Sequence, residues 1–189
     1  LPIYAYSPGG GLHGAGVSLF LVAPIGDKWG AGALVNYERR LGDVADSPLS
    51  QNDDAIRAAL TSLKNATGIP VAMYGTLLAD NRLQITQWIG LRTPALQNLI
   101  VDQGSGVGGR VVATRRAVGV SDYTRANVIS HEHDKAIQDE GLHSVVAVPV
   151  IVQREIRGVL YVGVHSTVRL GDKVIEEVTL TARTLEQDL

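Results

Sequence analysis

The densest run of chemically capable side chains in the sequence is Ser130-His131-Glu132-His133-Asp134. On a strand, two histidines two residues apart point the same way and could chelate a metal with Asp122 or Glu132. On a helix the same spacing separates them by about 200°, so they could not share one ion. We favour a helix capped by Ser130, with acidic side chains at its positive end, and no metal site. His131 could then face a pocket as a hydrogen-bonding group.

A second run, Gly104-Ser105-Gly106-Val107-Gly108-Gly109, has the G-x-G-x-x-G spacing of dinucleotide-binding loops, and Asp122 follows about 18 residues later. In such loops the glycines let the backbone approach a pyrophosphate at a helix N-terminus. Here only about seven residues are available for a helix before an apolar run at 117–121, too few for a parallel crossover. We therefore expect a glycine-rich turn that opens a short helix, and neither a nicotinamide nor a flavin cofactor.

Composition excludes several other kinds of site. The 189 residues include no cysteine, so disulfides, thiolate metal sites and cysteine nucleophiles are absent. There is no G-x-S-x-G motif, and the acidic pairs Asp139-Glu140 and Glu176-Glu177 are typical of solvated helix faces. We therefore expect a protein that is not an enzyme.

The charge pattern argues against direct contact with DNA or a membrane. Four arginines give the middle of the chain a basic bias: Arg110, Arg115, Arg116 and Arg125. They could neutralise an anionic ligand, but we favour ordinary surface. The net charge is nevertheless −2, and few aromatic residues accompany these arginines to stack on bases. No apolar run reaches the roughly 18 residues of a membrane span, so we expect a cytoplasmic protein.

The elements that would position these residues divide the chain near residue 50. Residues 1–50 contain nine of the 21 glycines and two apolar runs, 17–25 and 31–37, that favour a β-hairpin. A signal peptide fits less well, because no basic segment precedes the first run. We expect residues 1–50 to form a glycine-rich β appendage, joined by a polar linker at 40–50 to a domain at 51–189.

Residues 51–189 alternate helical and strand patterns. Ile56, Leu60 and Leu63 form one apolar stripe on the first helix, and the last helix repeats apolar residues at intervals of three and four. Helices are predicted at 51–66, 110–114, 130–140 and 171–189, and strands at 71–79, 82–89, 117–121, 144–152 and 157–165. This order is typical of an α+β fold with a mostly antiparallel sheet.

Residues 51–189 resemble a GAF domain, a small-molecule sensor module related in architecture to PAS domains. The resemblance is carried by five segments: 104–111, 118–123, 129–134, 140–150 and 157–161. The strand that ends in Ala-Val-Pro-Val and the following Gly-Val-Leu-Tyr are the most specific of them. The string is most similar to GAF domains that precede a LuxR-type helix-turn-helix in actinobacterial transcription regulators.

The resemblance implies a six-stranded antiparallel sheet with helices on both faces. The helices at 51–66 and 171–189 would pack together and form a homodimer. A pocket on the other face would be roofed by residues 109–114 and 122–140. Its floor would use Tyr74, Trp88, Val120, Val146, Val148 and Tyr161. Its polar contacts would come from Arg110, Asp122, Tyr123 and His131.

The resemblance also implies a function. The chain would be the ligand-binding sensor of a bacterial transcription regulator, signalling through its terminal helices to a DNA-binding domain outside this chain. A ligand-free dimerisation module is the alternative. Bilin-binding and sulfoxide-reducing GAF proteins depend on cysteines, and the axial histidine of heme-binding ones corresponds to Asp139 here. We therefore expect an unidentified small organic ligand and no cofactor.

Overall fold

The structure, a computed structural model, describes the backbone of residues 17–20, 23–25, 28–30, 34–37 and 48–189, and the side chains from residue 52 onward. The chain forms two compact units, Leu1–Gln51 and Asn52–Leu189. The described residues of the first unit form four short strands, β1 (Val17–Phe20), β2 (Ala23–Ile25), β3 (Lys28–Gly30) and β4 (Leu34–Tyr37). They form two antiparallel pairs, β1 with β4 and β2 with β3. The linker predicted at 40–50 lies outside the described residues as far as residue 47.

The second unit contains a six-stranded antiparallel sheet in the order β7-β6-β5-β10-β9-β8. Its strands are β5 (Val71–Leu77), β6 (Leu83–Ile89), β7 (Ile100–Val101), β8 (Val118–Val120), β9 (Ser144–Val152) and β10 (Glu155–Val164). The α+β class and the six-stranded antiparallel sheet are therefore confirmed.

Four helices and one 3₁₀ turn accompany the sheet: α1 (Pro48–Thr67), α2 (Gly106–Thr114), the 3₁₀ turn Tyr123–Arg125, α3 (Asp134–Glu140) and α4 (Asp172–Asp188). Helix α1 begins three residues before the predicted start, at a proline, which suits the first turn because it lacks an N–H. Ser50 and Asn52 therefore lie inside the helix. No described helix combines the length and the hydropathy needed to cross a bilayer.

Helix α3 is shorter than predicted. It begins at Asp134 with His133 as the N-cap residue, so the prediction that Ser130 caps it is wrong. The Ser130 hydroxyl instead accepts a hydrogen bond from the Gly106 amide at 3.0 Å. The loop before α3, which includes residues 130–133, is thus hydrogen-bonded to the start of α2.

The sheet separates two hydrophobic cores, because strand side chains alternate between its faces. On the first face, which we name the helix face, α1 and α4 pack through Leu60, Leu63, Val178 and Leu185. On the second face, which we name the cap face, α2, the 3₁₀ turn and α3 cover the sheet. The predicted arrangement of helices on both faces is confirmed.

Candidate functional site

A cavity lies between the cap face of the sheet and the segments that cover it. Its free volume is about 40 Å³, which is enough for roughly three water molecules. The lining residues are Met73, Ile85, Leu96, Leu99, Val101, Gly106, Val107, Gly108, Tyr123, His133, Ile137, Val145 and Tyr161. The lining is apolar apart from two phenols, one imidazole and the first backbone groups of α2.

The glycine-rich run brings the start of α2 against those phenols. A Cβ atom at Gly108 would overlap the Tyr161 hydroxyl, and one at Gly106 would overlap the Tyr123 hydroxyl. The predicted turn that opens a short helix is confirmed, except that the helix begins within the run, at Gly106. Close packing onto two tyrosines therefore explains why this run contains glycine.

Two polar atoms at the cavity are buried without a hydrogen-bond partner among the described residues: Tyr161 Oη and His133 Nε2. Tyr161 is 5% exposed. Buried side-chain polar atoms usually have a partner, since leaving one unpaired costs roughly 1–3 kcal/mol. The two atoms are therefore candidates for contact with a ligand.

Both phenols are protonated near neutral pH. Burial raises the pKa of Tyr161 well above its ordinary value, and the nearby Tyr123 adds to the effect. Burial also raises the pKa of Tyr123 to about 12, and the negative charges of Asp134 and Glu132 act in the same direction. Each phenol can therefore donate a hydrogen bond.

Four of the ten predicted site residues lie on the cap face. Tyr123 and Tyr161 line the cavity. Trp88 and Val120 belong to the cap-face core, where Val120 is buried and Trp88 packs against its edge, but neither lines the cavity.

Tyr74, Val146 and Val148 belong to the helix-face core, so placing them on the pocket floor was wrong. The strand register gives the reason, because cross-strand partners share a face of the sheet. Tyr161 pairs with Met73, whereas Tyr74 pairs with Leu160, one residue out of phase. Val146 and Val148 pair with Val162 and Leu160 in the same way.

The other predicted polar contacts point elsewhere. Arg110 is exposed on α2, beside a shallow surface depression that Arg116 shares. Asp122 accepts a hydrogen bond from the Thr124 hydroxyl at 3.1 Å. His131 Nδ1 lies 2.9 Å from the Asp134 carboxylate. None of the three predicted residues lines the cavity, and the described part of the chain contains no group of three His, Asp or Glu side chains placed to hold a metal.

Sequence reasoning missed the buried carboxylate of Glu140, which it assigned to a solvated helix face. Glu140 is 2% exposed. Its oxygens accept hydrogen bonds from the Arg92 amide at 2.7 Å and from the Thr93 amide and hydroxyl at 2.9 and 2.7 Å. His165 Nε2 lies 3.4 Å away. Burial alone would raise the pKa of Glu140, but these hydrogen bonds outweigh it and lower the pKa below its ordinary value.

Sequence reasoning also missed Ser144, which is fully buried. Its hydroxyl lies 2.8 Å from the carbonyl oxygens of both Ser121 and Ser166. It accepts a hydrogen bond from the Val168 amide at 2.9 Å. A hydroxyl has one proton, so it can donate to only one of the two carbonyls at a time.

Residues 140–144, which we name the junction, therefore connect the cap to the segment that leads into α4. The His143 carbonyl accepts the Tyr123 amide at 2.8 Å, and the His143 amide donates to the Val164 carbonyl at 3.0 Å. Tyr123 lines the cavity, and Val164 ends the last strand before α4. A displacement of Tyr123 would reach this segment through two hydrogen bonds.

Two family models match the chain. The GAF domain model matches residues 51–189, and the model of MltA-interacting protein MipA matches residues 2–62. The two matches overlap at 51–62, and the second covers about a third of the chain.

A relative of this chain is the HTH-type transcriptional activator RamA of Corynebacterium glutamicum, 81% identical over 141 residues. The match covers 75% of this chain and 50% of RamA, so the chain spans about half the length of this relative.

Solved structures share the fold. The GAF domain of Thermosynechococcus elongatus PixJ, in its blue-light absorbing form, aligns with a TM-score of 0.62 at 9% identity, covering 75% of this chain and 89% of that one. The free methionine-R-sulfoxide reductase of Neisseria meningitidis, in complex with its substrate, aligns with a TM-score of 0.59 at 19% identity, covering 78% and 81%. At these identities the likeness shows the fold alone.

Proposed function

Because this chain belongs to the GAF domain family, we propose that it is the small-molecule-sensing domain of a bacterial transcription regulator. The cavity on the cap face would hold the ligand. The observation that carries the proposal is the pair of unpartnered, buried polar atoms, Tyr161 Oη and His133 Nε2, at an otherwise apolar cavity. A ligand there would satisfy groups that the fold leaves unpaired.

The junction supplies a route from this cavity to the terminal helices. A ligand that repositions Tyr123 would act on the His143 carbonyl and on the backbone near Ser121. The Ser144 hydroxyl would then exchange the Ser121 carbonyl for that of Ser166, which precedes α4. The ligand can shift this equilibrium only by the difference between its affinities for the two states.

The output of the domain would be transcription. RamA is named an HTH-type transcriptional activator, and its similarity to this chain supports a DNA-binding domain that lies outside the chain. In this proposal α1 and α4 carry the signal to it in a cytoplasmic homodimer, and the cap-face site performs no catalysis. The sulfoxide reductase neighbours share the fold, but this chain contains no cysteine for the thiol chemistry that the family resemblance attributes to such enzymes.

The single methionine of the chain allows a direct test of ligand binding. Met73 is buried and lines the cavity, so ¹³C-methyl methionine labelling gives one resonance that reports the site. A metabolite panel would be screened by thermal shift, and each hit titrated against this resonance. We expect a saturable shift of the resonance in the wild-type chain and its loss in Leu99→Phe, which fills the cavity.

Leu180→Ala provides the control, since Leu180 lies on α4 and is 59% exposed. It should bind each hit as the wild type does. If no compound of the panel moves the Met73 resonance, or if Leu99→Phe binds as well as the wild type, the sensor proposal fails.

Exposed Leu180 also favours the second candidate, a dimerisation module without a ligand. In this candidate Leu180 would contact a second copy of the chain; a single exposed apolar side chain is common on monomeric proteins, so the oligomeric state decides. Sedimentation of the wild type and of Leu180→Glu would test this. A dimer that dissociates in the variant while the metabolite panel stays silent would support the module over the sensor.

A further inference from the structure

We infer that the ligand of this cavity is a small uncharged organic molecule that presents an oxygen acceptor to the Tyr161 hydroxyl. The inference rests on the proposed sensor function and identifies the chemical class of its ligand. The volume of the cavity, the hydrogen-bonding groups that line it and the charges around it each support this inference.

The free volume limits the size. About 40 Å³ corresponds to roughly three or four non-hydrogen atoms. The walls are close-packed residues such as Ile85, Val145 and Leu96, all at most 3% exposed, so a larger ligand would have to displace the core. Nucleotides, flavins and hemes are far too large for this cavity.

The polar groups at the cavity specify an acceptor. The Tyr161 phenol stays protonated near neutral pH and has no partner among the described residues. His133 Nε2 is also unpartnered, and a neutral imidazole can donate from this atom. One ligand oxygen within reach of both groups would satisfy two orphaned polar atoms at once.

The start of α2 adds a third donor. The Gly106 amide donates to the Ser130 hydroxyl, and the Gly109 amide donates to the Ser105 carbonyl. Gly108 lies in the first turn of α2, where helix amides have no intrahelical acceptor, and it lines the cavity. The unsatisfied donors at this end of the cavity therefore favour a carbonyl or hydroxyl oxygen.

The charges around the cavity argue against an anion. The lining contains no lysine, arginine, aspartate or glutamate. The carboxylates of Glu132 and Asp134 are close enough to raise the pKa of Tyr123, so the local field opposes a further negative charge. His131 lies beside Asp134, and Arg110 is exposed outside the lining. His133 is the one imidazole of the lining, and any positive charge on it already faces the Glu132 carboxylate.

The start of α2 would favour a negative charge, but by only about half an elementary charge. An ion buried in an apolar site without a partner pays a large desolvation penalty. A neutral ligand avoids this penalty and keeps the hydrogen bonds.

An isosteric pair of probes tests the inference. Acetamide and acetate have the same shape and differ in charge, and acetone offers a carbonyl oxygen alone. Each would be titrated at pH 7 into the full chain with the Met73 methyl resonance as readout. We expect saturable binding of acetamide and acetone, with dissociation constants no tighter than about tens of micromolar for ligands of this size. Acetate should bind at least about tenfold more weakly.

Tyr161→Phe tests the acceptor. We expect it to weaken acetone binding by about two- to tenfold, the loss of one hydrogen bond. A melting temperature of the unliganded variant at or above the wild-type value would show that the loss is not one of folding. Leu99→Phe should abolish binding of both neutral probes.

Two results would overturn the inference and leave the sensor proposal standing: tighter binding of acetate than of acetamide, or a cavity hit from the metabolite panel that is charged. Unchanged acetone affinity in Tyr161→Phe would also overturn it. If neither the probes nor any panel compound moves the Met73 resonance, both the inference and the sensor proposal fail.

Discussion

The two faces of the sheet differ in how completely their cores are packed. On the helix face, two long helices press one apolar stripe each against the strands, and Leu60, Leu63, Val178 and Leu185 are all at most 1% exposed. On the cap face, short helices and a glycine-rich run enclose a cavity and leave two polar atoms unpaired among the described residues. Close packing gives stability, whereas unfilled space and unpaired donors cost stability unless a ligand uses them. The contrast fits the proposal that the helix face provides stability and the cap face senses a ligand.

The largest expected effect compares leucine deletions on the two faces. Leu63→Ala on the helix face should create a new cavity in a filled core and lower the free energy of unfolding by about 4 kcal/mol. Leu96 already lines the existing cavity. Leu96→Ala should therefore lower the free energy of unfolding by less, about 2–3 kcal/mol. Urea denaturation of both variants measures the difference. A Leu96→Ala loss as large as that of Leu63→Ala would show that the cap face is packed as tightly as the helix face.

The next largest effect is expected at Glu140, the buried carboxylate that anchors the cap. Glu140→Gln should lower the free energy of unfolding at pH 7 by about 2 kcal/mol, because an amide NH₂ would face the Arg92 and Thr93 donors.

The pH dependence follows from the lowered pKa of Glu140. Its contribution to stability is complete above the ordinary glutamate pKa of 4.5 and is lost as the pH falls through the lower folded value. The stability gap between wild type and Glu140→Gln should therefore narrow on acidification below 4.5. A gap that stays constant down to pH 3 would contradict this role of the ionised carboxylate.

A smaller effect tests the junction between the two faces. Ser144→Ala removes the acceptor of the Val168 amide and should cost about 1–2 kcal/mol of stability. Hydrogen exchange at the Val168 amide should become faster in this variant. Ser166→Ala is the matched control, since only the carbonyl of that residue takes part in the bond. Equal exchange rates in both variants would remove Ser144 from the proposed route.

The smallest effect concerns the unpaired phenol. Tyr161→Phe should raise the free energy of unfolding by up to about 1 kcal/mol, because it removes a buried hydroxyl that has no partner among the described residues. Tyr123→Phe should give no such gain, since the Tyr123 hydroxyl is not one of the buried unpaired atoms. Thermal unfolding of the two variants gives the comparison. Equal losses would mean that the Tyr161 hydroxyl is bonded in solution.

Much of the fold could be predicted from the sequence because helical periodicity and turn residues are local signals. The apolar stripe of Ile56, Leu60 and Leu63 identified α1, and the order of helices and strands identified the class. The faces of the central strands could not be predicted in the same way. Strand β9 is buried on both sides, from Val145 to Val148, so its sequence carries no polar alternation to set the phase.

The polar residues of the site were harder to predict from the sequence than the faces of the strands. Glu140 binds amides 48 and 47 residues away, and Ser144 binds carbonyls 23 and 22 residues away. Nothing in the local pattern distinguishes these side chains from solvated ones, because their burial depends on contacts that only the folded chain makes. The glycines at 106 and 108 were the one local sign of a close approach.

The most direct test of the account is the Met73 methyl resonance in the full chain during titration with a stabilising metabolite. We predict a saturable shift of that single resonance in the wild type, no shift in Leu99→Phe, and altered hydrogen exchange at Val168 when the ligand is bound. A compound that stabilises the protein but leaves both Met73 and Val168 unchanged would place the ligand site elsewhere and contradict the division of roles between the two faces.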